Sequence, residues 1–421
     1  MLTIINIILI GLFAIVYAWV FYNLPILAVG VRNLRVWRKQ SGKNENGANR
    51  NLPSFSIIIP AKNEGKVIGR LLASLTKINY PKDKYEVIII EDGSKDDTFD
   101  VCTKFALENQ NFKILQRTTS NGKPSALNYG IKHAKGELIA VFDADNVPSN
   151  DALLNVAKYF DDTKVAAVQG RTMSINSREN MLTQFISYEE AVWCEAYLRG
   201  KDCLGLFVHL KGSCQFIRKN VLEKLSGFDE HILSEDMEFS AKLAEHKYTI
   251  RYGGDVLAWQ ESPSTLKTLF KQRTRWFRGT MDVAVKYGKL MTIPSWRNLD
   301  AEVTLIGPFV LIVSLLSYIM TSGIFLGQPP FDAIWGFFSL FSVISTSALI
   351  IICGVALIYV TKPMRLKNLL WLPFVFAYWM IQAFIAFYAG LQSLLHRPSV
   401  WLKTEKSGAV NDPGFSEEHK N

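Results

Sequence analysis

Four long stretches of the sequence contain no Asp, Glu, Lys, Arg or His, and they cover residues 1–31, 303–331, 333–361 and 368–395. A helix that crosses a membrane needs about 20 consecutive apolar residues, so each stretch is long enough to span it. The 47 basic and 38 acidic residues are confined to the rest of the chain. This separation excludes a purely soluble protein. It also excludes a wholly embedded one, because residues 32–302 are numerous enough to form their own core.

Cysteine is also scarce, since the chain has five and no two of them form a CxxC pair. The sequence therefore has no zinc or redox signature, and we expect free thiols in a cytosolic domain. Two glycine-rich phosphate-binding patterns, GxGxxG and GxxxxGKS/T, are absent from the sequence as well. Their absence argues against a dinucleotide-binding enzyme and against a P-loop nucleotidase.

The first uncharged stretch predicts an uncleaved membrane anchor and not a signal peptide. It lacks a basic segment at its start, and its apolar run is about twice the usual 7–15 residues of a signal peptide. The other three stretches predict three membrane helices within residues 303–396. The sequence thus indicates a multi-pass protein of the cell membrane.

Basic residues are concentrated beside the apolar stretches. Residues 32–50 carry six Lys and Arg against one acidic residue, and residues 264–297 carry eight against one. Cytoplasmic flanks of membrane helices are enriched in Lys and Arg, so the central domain is predicted to be cytoplasmic, with the amino terminus outside. Nucleic-acid binding is not expected, because the central domain itself has no basic excess.

The charges at the end of the chain conflict with a simple count of membrane crossings. Four crossings that start outside would leave the tail outside. Arg397, Lys403 and Lys406 nevertheless follow the last apolar stretch, and such residues indicate the cytoplasmic side. Either the tail is outside, or one apolar segment enters the membrane and leaves on the same side.

Short apolar runs alternate with helical patterns in the first half of the central domain. They predict strands at 56–60, 86–92, 113–116 and 137–145, with helices between them. This alternation indicates a parallel sheet that helices cover on both faces. Ligands bind such sheets beyond the carboxyl ends of the strands.

Polar clusters follow three of these strands, at Pro60–Glu64 (PAKNE), Glu91–Ser94 (EDGS) and Asp143–Asp145 (DAD). One such cluster is more often a turn or a helix cap, but three at one edge of a sheet favour a binding site. Alternate side chains of a strand point the same way, which predicts that Asp143 and Asp145 lie on one side. Two carboxylates there suit a divalent cation that binds a nucleotide diphosphate.

Two further motifs follow these clusters, Ser234-Glu235-Asp236 and the QxxRW pattern of Gln272–Trp276. In this order and spacing, the motifs resemble those of membrane-embedded family 2 glycosyltransferases, over about residues 50–290 and the membrane helices. Within that family, the chain is most similar to the poly-N-acetylglucosamine, chitin and hyaluronan synthases. The resemblance implies an α/β domain of the glycosyltransferase A-type, Rossmann-like fold, joined to α-helical transmembrane segments.

The resemblance also implies a nucleotide-sugar site. Asp92 would contact the nucleoside, Lys123 would lie beside the nucleotide, and Asp143 and Asp145 would hold the nucleotide and a Mg²⁺ or Mn²⁺ ion. The other matching positions are Pro60, Asn63, Glu64, Gln272, Arg275 and Trp276. By their chemistry alone, an arginine can bind phosphate oxygens through two N–H groups and a tryptophan face suits a sugar ring.

Asp236 would act as the general base on the acceptor hydroxyl, with Glu235 beside it as a second catalytic candidate. From the residues alone, the alternative is a helix that begins with a serine cap and acidic residues. The family often has a different pair before the base, so Ser234 and Glu235 leave the acceptor open. No dedicated nucleophile is evident, and a direct displacement would invert the anomeric configuration.

The predicted segments are an anchor (1–31), a basic linker (32–53), a glycosyltransferase domain (54–263), an interfacial amphipathic segment (264–298), three membrane helices (303–396) and a tail (397–421). We predict transfer of a hexosamine or hexose from a UDP-sugar onto a growing β-linked polysaccharide, with export through the protein's own helices. Expected partners are the UDP-sugar, a glycan or lipid acceptor and membrane lipids, with room for an accessory subunit. The alternatives are a non-processive glycolipid synthase and a transporter or sensor with an inactive domain.

Overall fold

The computed structural model describes residues 2–40, 51–326, 366–397 and 406–411, together with positions 354, 358, 360, 404 and 415. Most of the predicted membrane segment 333–361 and part of the predicted linker 32–53 lie outside the described residues. Four cysteines are free thiols, as predicted, and Cys353 lies outside the described residues. The strands and helices of the structure all lie within these residues.

Eight strands form one mixed sheet. They are β1 (Phe55–Ala61), β2 (Tyr85–Glu91), β3 (Phe112–Gln116), β4 (Leu138–Val141), β5 (Val147–Pro148), β6 (Val165–Ser174), β7 (Gln215–Arg218) and β8 (Thr249–Gln260). Their order across the sheet is β3-β2-β1-β4-β7-β6-β8-β5. The first four pair in parallel, which confirms the sheet predicted for this half. In the other half β7 runs antiparallel to both of its neighbours, an arrangement that the sequence did not indicate.

Helices surround the sheet and extend from it. Those of the domain are α2 (Gly65–Thr76), α3 (Thr98–Glu108), α4 (Lys123–His133), α5 (Ala152–Ala157), α6 (Met181–Val192), α7 (Arg199–Cys203), α8 (Lys219–Lys224), α9 (Glu235–Glu245) and α10 (Leu266–Tyr287). Three further helices are apolar, α1 (Leu2–Gln40), α12 (Gly307–Leu326) and α13 (Leu372–Leu394), and α11 (Trp296–Leu305) directly precedes α12. Short 3₁₀ turns cover Lys82–Lys84, Lys158–Asp161, Gly288–Thr292 and Leu366–Trp371, and a π-helical turn joins α6 to α7 at Trp193–Leu198.

The parallel strands are apolar along their length because helices pack on both faces. Successive side chains of β1 and β2 alternate between two core clusters. Helices α2 and α3 contribute to one cluster, whereas α4 and α9 contribute to the other. Each fully buried aliphatic side chain contributes about 1.5–3 kcal/mol to folding. This packing fixes the amino-terminal ends of α4 and α9 on the same face of the sheet.

The first helix is docked against the domain through glycines. A Cβ added to Gly30 of α1 would lie 1.8 Å from the carbonyl oxygen of Ala196, and one added to Gly200 would lie 2.0 Å from that of Ile26. Neither position has room for a side chain, so the two helical backbones touch directly. Helix α1 is therefore held closely to the π-helical turn and to α7.

A buried ion pair strengthens the same contact. The ammonium of Lys201 lies 2.9 Å from Asp300 of α11, and both side chains are fully buried. The hydroxyl of Tyr22 on α1 donates to the other Asp300 oxygen at 3.0 Å. Removing one partner of a buried ion pair typically costs about 3–5 kcal/mol, because the remaining charge is left without compensation. Helices α1, α7 and α11 are thus joined by one polar cluster.

Two helical segments of the described residues are long and apolar enough to cross a membrane, Ile7–Val36 and Leu369–Leu394. A third span results if Trp296–Leu305 and Gly307–Ser322, which meet at a bend of 50°, are taken as one. Large apolar side chains on these helices are exposed, among them Ile7, Phe374 and Phe384. Exposed apolar faces of this size indicate contact with lipid.

The tail packs on the domain that contains the sheet. Ser407 and Gly408 donate backbone N–H groups to Glu261, and the guanidinium of Arg70 on α2 donates to the Gly408 carbonyl at 3.1 Å. Residues 406–411 of the tail therefore lie against the domain beside α2.

Candidate active site

The carboxyl ends of β1 and β2 bring the first two polar clusters together. The backbone N–H of Asn63 donates to the Ser94 hydroxyl at 2.9 Å, and the Asn63 amide oxygen accepts from Lys95 at 2.7 Å. Asn63 has a φ of +54°, a left-handed conformation that asparagine tolerates better than most residues. Glu64 donates its N–H to Thr98 at 2.7 Å, and Pro60 lies in β1 beside Ile90. These contacts build the floor of a cleft.

Asp92 lies deeper in the same cleft, directly after β2. Its carboxylate is 3.3 Å from the Arg117 guanidinium and also accepts a short hydrogen bond from the Ser120 hydroxyl. The side chain is only 6% exposed. Asp92 is therefore held in one orientation at the edge of the sheet where a ligand was expected.

The DAD triplet does not lie on a strand, so the argument from strand alternation was wrong. Strand β4 ends at Val141, and Asp143 and Asp145 belong to the turn that follows. The turn is held by the Ser213 hydroxyl, which accepts from the Asp143 N–H and donates to Asn146. The two carboxylates remain close, but each of them meets a different lysine.

Lys123 connects the carboxylate of Asp143 with that of Glu235. Its ammonium lies 2.7 Å from Asp143 and 3.3 Å from Glu235, and it donates to the Gly212 carbonyl at 2.9 Å. Burial alone would lower the pKa of Lys123, but Asp143, Glu235 and Asp236 raise it above its usual value. The lysine is thus charged at the amino-terminal end of α4.

Asp236 and Glu235 begin helix α9, as predicted, with Ser234 at the N-cap position. Burial and the neighbouring charge of Glu235 raise the pKa of Asp236 to about 7. The positive charge of Lys123 acts in the opposite direction and lowers this pKa. A Cβ added to Gly212 would lie 3.1 Å from the Asp236 carboxylate. Glycine at that position therefore leaves room beside a carboxylate that exchanges protons near neutral pH.

Helix α10 carries the QxxRW residues past the start of α9. A Cβ added to Gly279 would lie 2.1 Å from the Ser234 hydroxyl, so the two helices are in direct contact. Arg275 is close enough to Asp236 to lower its pKa. Gln272 and Trp276 are half-buried, at positions that share a helical face with Arg275. The structure therefore brings Arg275 of this motif close to Asp236.

Two residues beside Asp145, Lys406 and Glu261, were not predicted from the sequence. The ammonium of Lys406 in the tail lies 2.6 Å from an Asp145 oxygen, and the Glu261 N–H donates to the same oxygen at 3.1 Å. The carboxylate of Glu261 binds the tail itself through Ser407. The only signal for Lys406 was the basic character of the tail, which was considered for topology alone.

The donor set of the DAD turn fits a divalent cation that shares its coordination with a diphosphate. Mg²⁺ usually binds through one or two carboxylates, with substrate phosphates and water completing its shell. The Asp143 side chain is 37% exposed and so is accessible to a ligand. Within the part of the chain that the structure describes, no group of three or more His, Cys, Asp or Glu side chains is placed to hold a metal.

The sequence of the domain that contains this site matches a known family. The family model described as "Glycosyltransferase like family 2" matches residues 53–279, which is more than half of the chain. The chain therefore belongs to the family 2 glycosyltransferases, and the resemblance predicted from the motifs is confirmed.

The fold is confirmed by a solved structure, the mannosyltransferase PcManGT from Pyrobaculum calidifontis in complex with GDP-Man and Mn²⁺. The two share a TM-score of 0.61 over 94% of this chain and 100% of that one, at 20% sequence identity. At this identity the likeness shows the fold alone. It is the glycosyltransferase A-type α/β fold that the sequence predicted.

Three relatives match part of this chain, and the names of two of them give different products. A Bacillus subtilis protein named "Probable glycosyltransferase YdaM" is 31% identical over 65% of this chain and 66% of its own length. The beta-monoglucosyldiacylglycerol synthase of Trichormus variabilis is 34% identical over 57% and 52% of the two chains. The poly-beta-1,6-N-acetyl-D-glucosamine synthase of Staphylococcus epidermidis is 31% identical over 55% and 56%. The match thus spans about half to two thirds of each relative.

Proposed function

We propose that the protein transfers a hexosamine or hexose from a UDP-sugar onto a growing β-linked glycan, with inversion at the anomeric carbon. One observation carries this proposal. Lys123 contacts both Asp143, at the donor side, and Glu235, which adjoins the proton-exchanging Asp236. The carboxylate proposed to bind the donor and the residue next to the proposed base therefore contact the same lysine.

Donor binding is assigned to the clusters at the carboxyl ends of β1, β2 and β4. Asp92 would hold the nucleoside, and the floor built by Asn63 and Glu64 would support it. Asp143 and Asp145 would hold a Mg²⁺ or Mn²⁺ ion, which supplies positive charge to the leaving diphosphate. Lys123, which is fixed beside Asp143 at 2.7 Å, adds a second positive charge on that side.

The transfer step is assigned to Asp236. Its carboxylate accepts the proton of the acceptor hydroxyl while that oxygen forms a bond to the anomeric carbon and the bond to the diphosphate breaks. A base works best when its pKa is near the working pH, and the pKa of about 7 meets this condition. Arg275 would bind the departing phosphate oxygens, with Gln272 beside it, and the Trp276 face would hold the acceptor sugar.

A glycan acceptor is favoured by the polar surroundings of Asp236. Lys123, Arg275 and the backbone of Gly212 lie around its carboxylate. A lipid acceptor is the second candidate, because the Trichormus variabilis relative is named for a glycolipid product. Export through the helices, a cytoplasmic domain and the predicted segment boundaries belong to the proposal as well.

The pH dependence of transfer tests the base. Asp236 must be ionised, so activity should fall as the pH drops through about 7. Glu235→Gln removes a negative charge that raises the pKa of Asp236, and we expect the acidic limb of the kcat/KM profile to move to lower pH. Glu223→Gln, at a surface position where the side chain is 57% exposed, is the matched control. An acidic limb at the same pH in Glu235→Gln and wild type would contradict this assignment.

The size of the product decides between the two acceptors. Full-length protein in detergent is supplied with radiolabelled UDP-glucose, UDP-galactose or UDP-N-acetylglucosamine, and products are separated by size and by organic extraction. We expect long polar chains with few intermediates, because a polymerase keeps its product between additions. Label found only in a monoglycosyl lipid at every time point would reject the polymer and leave the catalytic assignments intact.

A further inference from the structure

Arg273 occupies a position that the QxxRW pattern leaves unspecified, yet its guanidinium is nearly buried. Its side chain is 11% exposed, and its Nη2 atom lies 2.5 Å from Glu189 of α6. The same nitrogen is 3.5 Å from the hydroxyl of Tyr378 on α13, and that hydroxyl donates to the same Glu189 oxygen at 2.8 Å. Three helices, α6, α10 and α13, therefore meet at one polar triad.

The triad adjoins Trp276. The central guanidinium carbon of Arg273 lies 4.6 Å from the centre of the Trp276 ring, within the distance at which a cation is attracted to an aromatic face. The two residues are three positions apart, so they share one face of α10. Arg273 thus contacts the tryptophan on one side and the triad on the other.

Apolar packing alone would be enough to join these helices. The triad lies beside an apolar cluster that includes Phe185, Leu269 and the ring of Tyr378 itself. A buried charge there is costly unless it is paired and hydrogen-bonded. Hydrogen bonds have preferred directions, which apolar contacts lack, so the two contacts of Nη2 hold that end of the guanidinium in place. A fixed guanidinium in turn fixes the ring that it contacts.

We propose that Arg273 is a positioning residue for Trp276, and that Glu189 and Tyr378 hold it in place. Through this triad, α13 sets the orientation of the ring that contacts the acceptor sugar. The inference rests on the proposed glycosyl transfer. It adds a connection between a candidate membrane helix and the acceptor side of the catalytic site.

Two variants loosen the triad without leaving a buried charge unpaired. Tyr378→Phe removes one hydroxyl and keeps the ring, which stacks on Phe185 at 6.0 Å. The double variant Arg273→Met/Glu189→Gln removes both charges together. Tyr388→Phe is the matched control, since it makes the same change on the same helix at a side chain that is 43% exposed.

The readout is the ratio of donor hydrolysis to transfer. Full-length protein in detergent is given each of the three radiolabelled UDP-sugars, and free sugar is counted against sugar in product. We expect the ratio to rise about 2- to 30-fold in both variants, the range that corresponds to loss of a cation–π contact. The KM for the donor should not change, because the donor-binding clusters are elsewhere in the cleft.

A double-mutant cycle separates positioning from a general loss of structure. If Tyr378 acts through Trp276, then Tyr378→Phe should have no further effect on the ratio in a Trp276→Leu background. Independent, multiplying effects would overturn the proposal, and so would a Tyr378→Phe ratio equal to that of Tyr388→Phe. The proposed function fails separately, if wild type transfers none of the sugars or if Asp236→Asn transfers as fast as wild type.

Discussion

Asp236→Asn is expected to slow sugar transfer by about 10²–10⁴-fold, the usual contribution of a positioned acid or base. Asparagine has nearly the same shape as aspartate and keeps an oxygen that can accept from the Met237 N–H, so α9 should remain folded. It cannot accept the proton of the acceptor hydroxyl. The measurements are the initial rate of transfer and the affinity for the UDP-sugar, and only the rate should change.

The control for this variant is Asp229→Asn. Asp229 is also a carboxylate near the contact of α9 and α10, and it pairs with Lys286 at 2.8 Å on the surface. We expect the Asp229→Asn variant to transfer sugar at close to the wild-type rate. Loss of donor affinity with an unchanged turnover rate in Asp236→Asn would show that Asp236 belongs to the donor site and is not the base.

Asp145→Asn is expected to abolish turnover, with some loss of stability where the tail packs on the domain. The substitution removes a charged oxygen ligand of the kind that Mg²⁺ and Mn²⁺ require. It also removes the partner of Lys406, whose ammonium lies 2.6 Å away. Excess chelator should inactivate the wild type to the same extent, and added Mn²⁺ should restore the chelated wild type but not the variant.

Asp83→Asn provides the comparison for the metal experiment. Asp83 is exposed in the 3₁₀ turn before β2, at the amino-terminal edge of that strand. Its variant should respond to chelator and to Mn²⁺ as the wild type does. Full wild-type activity in excess chelator would reject the metal assignment, and the general base would be unaffected by that result.

The sequence was most informative where local pattern determines structure. β1 and β2 are apolar runs bounded by turn-forming residues, and both were found within one residue of their predicted limits at each end. The start of α9 at Glu235 followed from the serine and acidic residues that favour a helix amino terminus. Such features depend on neighbouring residues only, so one sequence is enough to find them.

The end of β4 was placed too late for a physical reason. Phe142 and Ala144 are buried although they lie beyond the strand, so the apolar run continues after the strand pairing stops. Glu261 and Lys406 could not be associated with Asp145, from which 116 and 261 positions separate them. Contacts over such distances depend on the path of the whole chain, which no local pattern contains.

The docking of α1 has a consequence for protein production. A shortened protein that starts at residue 51 would lose the backbone contacts at Gly200 and Ala196 and the Tyr22 hydroxyl bonded to Asp300. The surface left behind would include apolar side chains that α1 packs against, such as Ala191 and Val192, which makes it a site for aggregation. Removing the hydrophobic start of the chain to gain solubility would therefore expose a surface that promotes aggregation. The smallest preparation suited to purification includes residues 2–40.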